Sequence, residues 1–123
     1  MKNNKILIIE DDTDLLKLLA SYLKANGYEV LTSPESEDGV TLAERERPNL
    51  IILDIKMPGK GGLSAYKDIR YSPNLASVPI ILMSGLSKEA VQTIAEEIKA
   101  NDFVHKPFEP EELLKKIKEN IKE

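Results

Sequence analysis

Along this chain, short aliphatic blocks alternate with stretches whose apolar residues recur at helical spacing. "KILIIE" at residues 5–10 carries an unbroken apolar run from Ile6 to Ile9, the pattern of a strand covered on both faces. Leu15, Leu16, Leu19, Tyr22 and Leu23 then mark a helix, with Asp12 as its N-cap and Asn26-Gly27 as its stop. "YEVLTS" reads as a second strand. Ser33-Pro34 reads as an N-cap followed by a first-turn proline, opening a helix that runs to Arg45 or Glu46, ahead of Pro48. "NLIILD" is the third strand, and a short helix follows from Leu63 to Tyr71. "VPIILMS" is the fourth strand, and Ser87 caps a helix from Lys88 to Lys99. "DFVH" is the fifth strand. Pro110 opens the last helix, whose apolar face is Leu113, Leu114, Ile117 and Ile121. Strict alternation of strands and helices predicts an α/β protein with a parallel sheet and helices on both faces.

Length and composition narrow the picture. At 123 residues the chain suits one domain, and no linker, repeat or low-complexity tract divides it. With no cysteine, disulfide scaffolds and thiolate metal sites are excluded. No apolar stretch approaches membrane-spanning length, and the start, "MKNNKILIIEDD", turns acidic too soon for a signal peptide. A net charge of -4 without a basic stripe, and only 5% aromatic residues, argue against direct nucleic-acid binding.

In an open parallel sheet, ligands bind beyond the carboxyl ends of the strands. Those ends carry Glu10-Asp11-Asp12, Asp54, Ser84-Gly85 and Lys106-Pro107. If the first, third, fourth and fifth strands are neighbours, one crevice gathers carboxylates, a hydroxyl and an ammonium. Close carboxylates repel one another, and an all-oxygen site of this kind suits Mg²⁺. Asp54 is then a candidate nucleophile toward phosphorus, with Lys106 and Ser84 facing the phosphoryl group. Asp12 is assigned to capping, Met57 and Met83 to packing, and His105, in a strand, to no chemical role. Gly39 marks close approach of the second helix to the sheet. The glycines of "KMPGKGG" give the loop after Asp54 freedom to admit a partner.

"ILIIEDD", "LIILDIKMPGKGGL", "VPIILMSG" and "FVHKPF", in this order, resemble the receiver domain of bacterial two-component response regulators, the CheY-like family. The resemblance covers the whole chain. It implies a flavodoxin-like, doubly wound (βα)5 fold with strand order 2-1-3-4-5, forming a single receiver domain over residues 1–123 without an output domain. It implies that Asp54 accepts a phosphoryl group from a histidine kinase or phosphotransfer protein, and that the protein is a cytoplasmic signalling component rather than a turnover enzyme. Asp11, Asp54 and the Lys56 carbonyl match the family's direct Mg²⁺ contacts and Glu10 a contact made through water, with Mn²⁺ as a substitute. Ser84 and Phe103 match its switch pair, Lys106 its phosphoryl-binding lysine, and Lys106–Pro107 its cis peptide. The fourth helix, fifth strand and fifth helix would form the partner face, in a monomer or a phosphorylation-dependent dimer. Lys56 and Leu86 occupy the positions that tune phosphate loss, and neither is suited to positioning water, which implies slow self-dephosphorylation. In "KANDF", Lys99 stands where the family's fourth helix ends in glycine, so the left-handed position is expected at Asn101.

Three alternatives differ in their requirements. A flavin carrier of this architecture would want a hydroxyl- and glycine-rich phosphate cradle where this chain has "EDDTD". A metal-dependent phosphatase would want an aspartate where Lys56 stands. A receiver-fold docking module without phosphorylation would not need the acidic set.

Overall fold

A computed structural model describes residues 4–55 and 61–121. Five parallel strands form one sheet in the order β2-β1-β3-β4-β5. The chain runs β1 (Lys5–Ile9), α1 (Thr13–Ala25), β2 (Glu29–Ser33), α2 (Ser36–Glu46) and β3 (Leu50–Asp54). It continues through α3 (Gly62–Tyr71), a 3-10 turn (Pro73–Leu75), β4 (Ile80–Ser84), α4 (Lys88–Ile98), β5 (Asp102–His105) and α5 (Pro110–Asn120). The flavodoxin-like (βα)5 fold and strand order expected of the sequence are therefore observed.

Two apolar layers sandwich the sheet, and strand alternation assigns residues to them. Ile6, Ile8, Leu50, Ile52, Ile81, Met83 and Val104 face Leu16, Leu19 and Leu23 of α1 and Leu113 and Ile117 of α5. Leu7, Ile9, Ile51, Leu53, Ile80 and Leu82 face Ala43 of α2, Tyr66 and Ile69 of α3, and Ala95 of α4. All residues of β3 and β4 are buried, which explains their continuous rather than alternating hydrophobicity. Burying each such aliphatic side chain is worth about 1.5–3 kcal/mol.

Two glycines set how closely helices approach the sheet. A Cβ on Gly39 would lie 2.6 Å from Ile9 Cδ1, so α2 sits directly on β1. A Cβ on Gly62 would lie 2.2 Å from Ile55 Cα and 2.3 Å from the Asp54 carbonyl oxygen. The first turn of α3 is thus packed on the backbone at the tip of β3.

Asp12 and Ser87 cap α1 and α4 through their side chains, and α1 stops at Asn26 with Gly27 at φ 95°. Two local expectations are corrected. Ser33 does not cap α2: it ends β2, its hydroxyl donates to the Glu35 carbonyl, and α2 starts at Ser36 behind Glu35. The extended backbone of Glu35 delays the helix beyond Pro34. The left-handed residue after α4 is Lys99, at φ 58°, and not Asn101. Asn101 is held instead by its side chain, whose Oδ1 accepts from the Ile80 N–H at 2.9 Å and the Arg70 guanidinium at 3.0 Å. Arg70 also donates to the carbonyls of Leu75, Ala76 and Val78, tying the α3–β4 connection to the start of β5.

Candidate functional site: an acidic cluster at the carboxyl end of the sheet

The same alternation that builds the core aims the polar residues at the strand tips. Glu10 continues the parity of Ile6 and Ile8, Asp54 that of Leu50 and Ile52, and Lys106 that of Val104. All three therefore emerge on the α1/α5 face of the sheet. Ser84 has the parity of Ile80 and Leu82, and Phe103 packs with those residues on the opposite face.

Glu10 has no exposed surface, and Asp54 is 2% exposed. The Lys106 ammonium bridges them, donating to Glu10 Oε1 at 2.5 Å and to Asp54 Oδ2 at 3.1 Å. The second oxygen of Glu10 accepts the Asp12 N–H at 2.9 Å. Asp11 is exposed at the rim. One carboxylate oxygen each from Glu10, Asp11 and Asp54 lie within 4.8 Å of one another.

Backbone bonds fix this arrangement. The Glu10 N–H donates to the Ser33 carbonyl at 3.0 Å, the Ile55 N–H to Met83 at 3.1 Å, and the Lys106 N–H to Ser84 at 2.7 Å. Each ladder thus continues one residue past its strand, so Glu10, Asp54 and Lys106 project from held backbone. The Lys106–Pro107 peptide is cis. Leu15, Lys106, Pro107 and Phe108 line an open pocket of about 360 Å³ beside the cluster.

Burial pushes the Glu10 carboxyl up to about 7. The Lys106 ammonium and the Asp12 N–H pull it back down, and the Asp54 charge adds to the rise. Burial works against the Lys106 ammonium too, but the bond from Glu10 and the charge of Asp54 outweigh it and hold its pKa above the usual lysine value. Among the described residues, the carboxylates of the cluster outnumber the Lys106 ammonium. The donor set is all carboxylate oxygen, part buried and part rim-exposed, which fits a hard divalent cation with water in its remaining positions.

The structure brings Glu10, Asp11, Asp54 and Lys106 together. Ser84 is fully buried at the neighbouring strand tip, its Oγ accepting the Leu86 N–H at 3.0 Å. Phe103 is half-buried, with the Lys116 ammonium 5.5 Å from its ring centroid. Lys116 also pairs with Asp102 at 3.0 Å. His105 lies opposite Ser84 in the β4–β5 register. Lys56 and Met57 lie outside the described residues, so the carbonyl expected to contact a metal is not located. The Asp12 amide was not anticipated as part of the site. Its signal in the sequence is its position two residues after Glu10, where a turning chain can return an N–H to a carboxylate.

A family model described as "Response regulator receiver domain" matches residues 6–118. "Probable transcriptional regulator ycf27" of Porphyridium aerugineum is 33% identical over 118 residues, covering 96% of this chain and 48% of that protein. The chain spans about half the length of the curated relatives it matches. Among solved structures, a putative response regulator from Chloroflexus aurantiacus J-10-fl superimposes with a TM-score of 0.91 at 29% identity, covering 98% of both chains. The receiver domain of sensor histidine kinase PA1611 from Pseudomonas aeruginosa PAO1, with a magnesium ion coordinated in its active site cleft, gives 0.88 at 28% identity, again with 98% of both chains covered. By its sequence match and its fold, the chain belongs to the response regulator receiver domain family of two-component systems.

Proposed function

We propose that this receiver takes a phosphoryl group onto Asp54. The observation that carries the reading is a buried aspartate at the tip of a fully buried strand, bridged by Lys106 to a second buried carboxylate. A carboxylate oxygen of Asp54 attacks the phosphorus of a phosphohistidine on a histidine kinase or phosphotransfer protein. The P–N bond breaks, its electron pair stays on the imidazole nitrogen, and that nitrogen is protonated from solvent. The products are an aspartyl phosphate and a free histidine. Lys106 is positioned to pair with the transferred oxygens, and Ser84 lies at the adjacent strand tip to donate its hydroxyl.

Glu10, Asp11 and Asp54, with the Lys56 carbonyl, would hold Mg²⁺, which Mn²⁺ can replace. When bound, the ion supplies positive charge against the phosphoryl oxygens. The magnesium ion in the PA1611 receiver domain supports this assignment.

The added charge then biases two arrangements of α4, β5 and α5, with Ser84 and Phe103 as the switching pair, and so changes the affinity of that face for a protein partner or a second copy. The protein acts as a cytoplasmic signalling acceptor. Among the described residues no helix is long and apolar enough to cross a membrane.

Incubation with a small phosphodonor and Mg²⁺, followed by intact mass, tests the reading. The native chain gains one phosphoryl group, and Asp54→Asn gains none while keeping its circular dichroism. Absence of any gain in the native chain would leave a receiver-fold docking module. Labelling of Asp54→Asn at the native rate would move the acceptor elsewhere.

A further inference from the structure

We propose that the groove between the carboxyl-terminal turns of α3 and α4 binds a small planar aromatic anion, Lys67 meeting its charge and Tyr71 its ring.

Tyr66, Lys67, Arg70, Tyr71 and Ile98 line this groove, whose volume is about 440 Å³. Small-ligand sites span roughly 300–1,000 Å³. Asp54 is the last residue of β3, whereas α3 and α4 end where the chain turns back toward the starts of β4 and β5. The groove and the acidic cluster therefore belong to opposite ends of the parallel sheet.

Helical spacing gives the groove a floor and a wall. Tyr66 and Arg70 form one i, i+4 pair on α3, and Lys67 and Tyr71 form the adjacent one. The first row faces α4: Tyr66 is buried, and its hydroxyl donates to the Ile98 carbonyl at 3.1 Å. The second row is exposed, Tyr71 by 89%. A lone exposed aromatic residue needs no explanation. This one borders a groove already lined by a second tyrosine and an isoleucine.

The lining carries two cations and no carboxylate. The edge of the Arg70 guanidinium is committed to the Tyr66 hydroxyl, three carbonyls and Asn101. It contributes fixed positive charge and no fork for an incoming carboxylate. Lys67 makes no hydrogen bond or ion pair with any described residue, so its ammonium is available to an anion. Residues at this spacing have Cβ atoms about 5–6 Å apart. A ligand whose acid group stands a bond or two from its ring can thus meet Lys67 and lay the ring against Tyr71.

Indole-3-acetate is a suitable probe, with indole as its neutral counterpart and tryptamine as its cationic one. Backbone amide resonances of the native chain are followed during titration with each. Indole-3-acetate is expected to shift the amides of Lys67, Tyr71 and Ile98 along one isotherm, with a Kd of about 1 mM. Indole and tryptamine should bind at least about threefold more weakly. Lys67→Met and Tyr71→Ala alter exposed side chains, and each should weaken indole-3-acetate about threefold or more. Lys115→Met, on α5, should leave the affinity unchanged. Equal affinity for the three probes, or for Lys67→Met and the native chain, would overturn the anion assignment. Undiminished binding to Tyr71→Ala would overturn the stacking role. Shifts confined to residues outside the groove, or no shift up to about 20 mM, would overturn the site.

Discussion

Replacing Gly62 with alanine tests how the tip of β3 is built. The added methyl would sit 2.2 Å from Ile55 Cα and 2.3 Å from the Asp54 carbonyl oxygen, and both obstacles are backbone. Neither can turn aside as a side chain can, so α3 or the end of β3 has to move. Overpacking of this kind costs about 1–3 kcal/mol. A helix-interior glycine would return about 1 kcal/mol on becoming alanine, but Gly62 is the first residue of α3 and gains little of that. A net loss of about 2 kcal/mol is expected, lowering the thermal midpoint of a chain this size by about 8 °C. Gly85→Ala is the control, because nothing lies within 4 Å of its Cβ position, and it should stay within about 0.5 kcal/mol of native. Gly39→Ala should fall between the two, since its methyl meets only the Ile9 side chain, at 2.6 Å from Cδ1. Thermal melts followed by circular dichroism give the ranking. Gly62→Ala melting within about 2 °C of Gly85→Ala would refute the claim that α3 is packed on the Asp54 backbone.

Three further outcomes are expected. In chelator, stability should fall as pH rises from about 4.5 to about 7: the folded Glu10 carboxyl is raised, so its contribution is fully present below the unfolded value and is lost as pH passes the folded one. The loss is of the order of 3 kcal/mol, urea midpoints across that range measure it, and Glu10→Gln should flatten the slope. Arg70→Met should cost about 2–3 kcal/mol and raise amide exchange at Ile80, because it removes bonds to three carbonyls and to Asn101; exchange at Ile80 unchanged from native would contradict that. Phosphorylated protein freed of donor should lose its label over minutes or longer, since Lys56 and Leu86 are poorly suited to positioning water; decay within seconds, read by intact mass, would contradict the assignment.

What the sequence made legible was periodicity, and the site inherits it. The aliphatic runs at residues 6–9, 50–53 and 80–83 identify strands covered on both faces, and each polar residue that ends a run is readable without coordinates. The local departures were less accessible because tertiary partners decide them. Pro34 reads as a first helical turn, yet Glu35 stays extended and Ser33 remains in the ladder. Asn101 is a natural left-handed residue, but its side chain is committed to Ile80 and Arg70, so Lys99 takes the turn instead. The role of Arg70 depends on three carbonyls of a connection whose path no local pattern specifies.

Strand parity also explains how the buried centre of the site is assembled. Glu10, Asp54 and Lys106 meet because each falls on the α1/α5 side of its strand, and the register aligns Ile9 with Leu53 and Leu53 with Leu82. Ser84 and Phe103, on the opposite parity, share the side covered by α2, α3 and α4. One sheet therefore separates the charged cluster from the pair proposed to report on it, and the two sides meet at the strand tips. A one-residue slip of β3 would turn Asp54 away from Lys106 and bury its charge among the aliphatics of the other layer. The hydrophobic core that makes such a slip prohibitive is thus also what holds the candidate nucleophile against its lysine.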